Sequence, residues 1–339
     1  MPPLALILDG TAIAYRSYHA LEALTAPDGT PTNALYGFIR LFRHLAAAWK
    51  PDRIAVAFDG GSPPSRLALC PAYKAQRPPM PPELRAQFPL IEEYLDASRI
   101  PRFRLPQQEA DDVMATLAHR ALASGAVVRI ATSDKDLLQL VGPDLWVVPP
   151  TRTGPVLDTP GVLAKTGVRP DQIVDWLALV GDTADNLPGI SGIGPKTAAK
   201  LLAEHGTLAA CYQNLDAVTP PRIREKLAAS RATAETNVRM MTLDRDVPGL
   251  PAWTEIPPPG PADATRLETF LAAYALDSLA PDAPPPASAP SDPDRIAEEE
   301  AALADLHPSA PATPPPPAPK PLTRRQRDAQ ADRTQLHLF

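Results

Sequence analysis

The chain has 339 residues, enough for two domains with extensions. Its hydrophobic share of 44% can build a core, but 45 prolines are too many for compact elements throughout. The net charge of −6 excludes a generally basic nucleic-acid coat, no apolar run reaches membrane-spanning length, and Cys70 and Cys211 lack metal-ligand spacing.

In chain order, "MPPLALILDG" has no basic leader or cleavage site. It reads as a first strand rather than a signal peptide, so a cytoplasmic protein is expected. "LALILD", "RIAVAFD" and "AVVRIATSD" are short continuous apolar runs, the pattern of strands buried on both faces of a parallel sheet. Helical periodicity between them predicts helices over 34–48, 84–95 and 111–123. Strands alternating with helices imply an open α/β sheet, whose sites form beyond the carboxyl ends of its strands. From about residue 159 the pattern turns helical, as in "RPDQIVDWLALVG" and "PKTAAKLLAEHG", with Pro near each start and Gly just past each end. From 281 onward, Pro, Ala and acidic residues predict an extended, unpacked linker.

Carboxylates gather where such a sheet would form a site. The strand ends supply Asp9, Asp59, Asp134 and Asp136, a helix start supplies Glu109, Asp111 and Asp112, and the loop "GDTADNLPG" supplies Asp182 and Asp185. Any one of them alone is well explained as a helix N-cap or first-turn acid. "SDKD", "FDG" and "GDTADN" together are not. Nine acids in one cleft would repel one another unless divalent cations with oxygen preference, Mg²⁺ or Mn²⁺, were bound among them. Two such ions roughly 4 Å apart can hold the attacking and leaving oxygens of a phosphodiester in line.

"LILDGTAIAYRSYHAL", "TNALYGF", "AFDG", "YKAQR", "EADD", "ATSDKDLLQL" and "GDTADNLPGISGIGPKTAAKLL" closely resemble the 5′-nuclease domain of bacterial DNA polymerase I and related flap endonucleases. The motifs run in the family's order from Leu4 to Leu279. The resemblance implies a PIN-like α/β nuclease domain with a mostly parallel sheet over 1–158, arched at about 60–90. A helical helix–hairpin (H3TH) DNA-binding domain is expected over 159–280, a Pro/Ala-rich linker over 281–334 and a docking peptide over 335–339. It further implies a magnesium- or manganese-dependent 5′-3′ exonuclease and 5′-flap endonuclease, monomeric, acting on DNA with 5′ flaps or 5′ ends, RNA-primed strands included. Asp9, Asp59, Glu109, Asp111 and Asp112 would lie mainly at a first metal, and Asp134, Asp136, Asp182 and Asp185 toward a second.

The same resemblance assigns the DNA contacts. In "GISGIGPKTAAKLL", Gly189, Gly192 and Gly194 precede a helix whose free amides favour anions. Thr197, with Lys196 and Lys200 on one face of that helix, would meet the duplex, around a monovalent cation such as K⁺. In the basic segment 60–90, Lys74 and Arg77 would stabilise charge on the scissile phosphate. Arg66 and Arg16 would touch phosphate, and Tyr73 would offer a ring for a terminal base. The prolines at 71, 78, 79, 81 and 82 limit how continuous an arch helix can be.

With nine carboxylates assigned to metal, the balance moves from −6 to about +3, which reconciles an acidic chain with DNA. Family members fused to a polymerase are delivered by it, and a stand-alone form without one is expected here. The linker, spanning on the order of 40 Å as a random coil, ends instead in "QLHLF". Gln335, Leu336, Leu338 and Phe339 resemble the peptide by which bacterial replication proteins bind the sliding clamp, with Arg324, Arg325 and Arg327 close by for duplex.

Overall fold

The computed structural model describes residues 2–151 and 154–279. The linker and clamp-peptide expectations lie outside the described residues.

The first half is a doubly wound α/β layer. Strand β1 (Leu4–Asp9) leads into helix α1 (Gly10–Ala20), and α2 (Asn33–Trp49) precedes β2 (Arg53–Phe58). Short α3 (Pro64–Leu69) and longer α4 (Pro82–Ala97) lead to β3 (Arg102–Arg104). Next come α5 (Ala110–Ala123), β4 (Val127–Ala131) and β5 (Leu145–Val148). The five strands are parallel throughout, in the order β3-β2-β1-β4-β5. The order reverses between β1 and β4, and the crevice beyond the strand ends there is where such sheets hold ligands.

The strands are apolar runs because helices cover both faces of the sheet. One core, built on Leu6, Leu8, Val56 and Phe58, packs against α1, α2 and α4. The other, built on Ile7, Ala57 and Ile130, packs against α5 and continues into the second half. Helix α2 shows the periodicity at work: Leu35, Phe38, Phe42 and Leu45 fall on its buried stripe. Lys50, left-handed at φ 46°, ends it just before Pro51. Gly10 lets α1 start hard against the sheet, since a Cβ there would stand 2.5 Å from the Phe58 ring.

The second half is helical, with α6 (Thr159–Thr166) and α7 (Ile173–Val180) first. A two-residue ribbon follows, β6 (Gly181–Asp182) with β7 (Leu187–Pro188), ahead of α8 (Pro195–His205). Then come α9 (Leu208–Gln213), α10 (Pro221–Ala229), α11 (Arg231–Met241) and α12 (Ala264–Ala273). Buried Asn237 on α11 donates to the carbonyls of Ala178 and Pro188, fixing the ribbon against α7. No helix among the described residues is long and apolar enough to cross a membrane.

The expected arch is not one helix. Prolines break it into α3, a turn-rich strap over residues 71–77, and α4, which begins at Pro82.

Candidate active site

Each acidic residue is delivered by an element end at the β1/β4 switch. Asp9 closes β1 and caps α1, accepting from the Ala12 amide at 2.8 Å, while its other oxygen accepts from the Thr132 hydroxyl at 3.0 Å. Asp59 follows β2, accepts from the Ala110 amide at 2.9 Å, and so ties that strand to the start of α5. Asp111 and Asp112 occupy the first turn of α5, where the dipole favours acids. Asp134 follows β4 and accepts from the Asp136 amide at 2.8 Å. Asp182 and Asp185 come from the ribbon and its loop, and with Asp136 they offer carboxylate oxygens within 4.8 Å of one another.

The electrostatics of this cluster are unfavourable by themselves. Burial, and then the Asp59 charge, push Asp9 up to about 7. Burial first and then Asp134 raise Asp111 and Asp136 well above the usual carboxylate range. Burial raises Asp134 as well. One buried oxygen, Oδ1 of Asp136, has no hydrogen-bond partner among the described residues. An all-oxygen donor set with crowded charge and an orphaned acceptor fits a hard divalent cation.

A pH dependence follows. An acid whose folded pKa is raised holds its proton more tightly in the native state. The native state is therefore favoured at low pH and loses that advantage as pH climbs from the unfolded value of 3.8 through about 7 for Asp9. In chelator, the melting temperature should be lower at pH 8.0 than at pH 5.5. Added Mg²⁺ or Mn²⁺ should close most of that gap, acting more strongly at pH 8.0. Equal shifts at both pH values would show that the cluster does not bind the ion.

The nine acids do not all share one environment. Asp112 is drawn into a buried ionic knot around Arg66, and Glu109 is shared between that knot and the strap. That guanidinium pairs with Asp112 through Nη1 at 2.7 Å and Nη2 at 2.8 Å, also pairs with Glu109, and donates through Nε to the Met240 carbonyl at 3.1 Å. Asp112 takes a further bond from the Asp244 amide at 2.9 Å. Burial pushes the Asp112 carboxyl up, and Arg66 pulls it back only in part. Arg66, expected at a phosphate, is thus buried at 7% exposure as a brace between the sheet half and α11.

Tyr73, expected to present an open ring, is 6% exposed. Its hydroxyl donates toward Glu109 at 3.0 Å and Asp185 at 3.1 Å, the two acids that flank the strap. Lys74 pairs with Glu109 at 2.6 Å and stands 3.8 Å from Asp185, and Arg77 pairs with Asp185. Burial works to raise Glu109, but Lys74 and then Arg66 outweigh it and hold that carboxyl below its ordinary range. The strap backbone is docked too: the Lys74 amide donates to the Asp185 carbonyl at 3.1 Å. Lys74 and Arg77 thus stand over the acidic cluster as its counter-charges.

The remaining DNA-contact expectations lie elsewhere on the molecule. Gly192, Gly194 and Lys196 are exposed at the turn entering α8, Thr197 is half-buried, and Lys200 lies 3.8 Å from Glu204. Arg16 sits half-buried on α1.

Sequence reasoning missed three participants. Thr132 bridges Asp9 to the Asp134 backbone, Thr11 accepts the Asp59 amide at 2.9 Å, and Lys135 pairs with Asp182 at 3.1 Å. Lys135, set between two acids in "SDKD", carried the one usable signal.

Residues 4–167 match the family described as 5′-3′ exonuclease, N-terminal resolvase-like domain, and 168–262 match 5′-3′ exonuclease, C-terminal SAM fold. A 5′-3′ exonuclease of Aquifex aeolicus is 40% identical over 241 residues, 71% of this chain and 82% of that one. A thermostable DNA polymerase I of Thermus thermophilus is 42% identical over 246 residues, 72% of this chain but 29% of the polymerase. The chain therefore spans under a third of the polymerases it matches. Among solved structures, T5 5′-exonuclease with bound zinc aligns at TM-score 0.61 and 20% identity, covering 89% of this chain and 99% of that one. The catalytic core of Rad2 in complex with DNA aligns at TM-score 0.54 and 18% identity, covering 81% and 90%. These two likenesses concern the fold. The family match over both halves, together with the Aquifex relative, establishes that the chain belongs to the 5′-3′ exonuclease family.

Proposed function

We propose that this chain is a Mg²⁺- or Mn²⁺-dependent 5′-3′ exonuclease and 5′-flap endonuclease, acting near the junction of single strand and duplex DNA, RNA-primed strands included. The observation that carries this reading is the joint placement of the carboxylates at the switch point with Lys74 and Arg77 directly over them. Asp9, Asp59, Asp111, Asp134, Asp136, Asp182 and Asp185 would hold the metal, with Glu109 and Asp112 orienting the cluster through Arg66. Bound divalent ions would activate water and stabilise the departing 3′ oxygen.

The protein's own groups do the rest. Lys74 and Arg77, paired with Glu109 and Asp185, are within reach of a phosphate seated over those acids, and their charge would offset what develops on it. The exposed turn at Gly192 and Gly194, with Lys196 and Lys200 beyond it, would hold the duplex by its backbone without reading sequence. Hydrolysis leaves a 5′-phosphate and a 3′-hydroxyl. The biology would be primer removal and DNA repair in a bacterial cytoplasm, by a monomer recruited to the sliding clamp through Gln335, Leu336, Leu338 and Phe339.

The test is cleavage of a 5′-labelled flap on primed circular DNA with Mg²⁺ or Mn²⁺, with and without loaded clamp. The full chain is compared with one ending at Thr334. Cutting by both chains, accelerated by clamp for the full chain alone, is the expected result. Equal response of the two chains removes the clamp role, and no cutting with either ion removes the nuclease reading.

A further inference from the structure

The turn that enters α8 already carries a cation belonging to the protein. Lys226, on α10, donates from Nζ to the Ser191 carbonyl at 2.6 Å. Its ammonium lies so close over Gly192 that a Cβ there would stand 1.9 Å from Nζ. Gly192 meets the φ of +79° that the turn requires, and its lack of a Cβ leaves room for the ammonium. The turn is fixed from its other side by Trp176, whose indole N–H donates to the Pro195 carbonyl at 3.2 Å. Among the described residues, the amides of Gly192 and Gly194 donate to no protein acceptor, and both glycines are exposed. Arg222, one turn earlier on α10, is exposed as well and extends the positive stripe.

The family resemblance implies a monovalent ion at this turn, and the residues present do not fit one. An ion would need outward carbonyls of the turn as ligands. Ser191 offers such a carbonyl, but an ammonium holds it, and a second positive charge beside that ammonium would be repelled. We propose that the Lys226 ammonium stands in place of the monovalent ion, so that this chain grips duplex phosphate through the turn amides and a tethered cation and needs no potassium. The inference rests on the duplex-holding reading given under Proposed function.

The experiment is equilibrium binding of a labelled flap duplex without divalent ion, so that nothing is cut. It is run in potassium chloride and in tetramethylammonium chloride at equal ionic strength, because phosphate contacts make any affinity salt-dependent. The wild type is expected to bind with affinities within about twofold of each other in the two salts, and Lys226→Met to bind about tenfold more weakly in tetramethylammonium, with potassium restoring part of the loss. Restoration by one particular ion is a readout that a merely structural lysine would not give. A wild type that binds several-fold better in potassium overturns the inference, and that comparison stands even if the variant does not fold. A folded Lys226→Met chain that binds like wild type in both salts overturns it too. A wild type that binds no duplex in either salt defeats the duplex-holding reading itself, a different failure from a potassium requirement.

Discussion

An Asp134→Asn chain is expected to cut a 5′ flap about a thousandfold more slowly, or worse, while binding it as tightly as wild type. Asn keeps the oxygen that accepts from the Asp136 amide at 2.8 Å, so the loop after β4 retains its conformation. What disappears is a charge that presses on both Asp111 and Asp136. Without metal, the variant should therefore melt above wild type, because the native state no longer confines as many carboxylates. Single-turnover cleavage with Mg²⁺, binding without it, and thermal melting in chelator check the three parts. Cutting within tenfold of wild type would remove Asp134 from the metal site. Unchanged cutting together with lowered melting would make it a structural cap.

The second large effect is on stability. Arg66→Met should lower the unfolding free energy by about 3–5 kcal/mol, since it leaves Asp112 buried without its main counter-charge and Glu109 with Lys74 alone. At about 2–4 °C per kcal/mol for a chain of this size, melting should fall by roughly 10 °C. The carbonyls of Met240 and Thr242 lose a donor in the same step. Arg66→Lys should not restore stability, because an ammonium cannot meet Asp112 through two parallel bonds. An exposed pair such as Arg169 with Asp171 is the control, and removing it should leave the melting temperature nearly unchanged. A loss at Arg66 no larger than that control would mean the knot is incidental.

Much of this architecture could be read from the sequence. The continuous apolar runs of β1, β2 and β4 and the stripe of α2 carry their own periodicity, so the parallel sheet and its flanking helices follow from local pattern. Strand β3 escaped because "RFR" is three residues long and half-buried, too short and too charged for any period to show. At the site, each acid was legible because strand ends and a helix start are sequence-local features. The partners of Arg66 were not, since Glu109 and Asp112 lie 43 and 46 residues away and Met240 lies 174 away. Nothing in "PPSRLAL" distinguishes a cation bound for DNA from one bound inward. Tyr73 failed to show its role for the same reason, because its hydroxyl partners come from the residue that precedes α5 and from the loop after β6.

The Arg66 knot also bears on modularity. Two family halves meet at residue 167, which suggests a place where the chain could be divided. Physically no seam exists there: one apolar core runs from Ala5 through Leu177 and Leu202 to Ile256. The buried guanidinium and the Asp112 carboxylate each reach across to backbone contributed by residues 240–244. A fragment ending at 167 would expose that core and take from Arg66 and Asp112 the Met240 and Thr242 carbonyls and the Asp244 amide. Exchanging one half for an unrelated one would mean rebuilding the other, and the described residues should unfold in a single cooperative transition rather than in two.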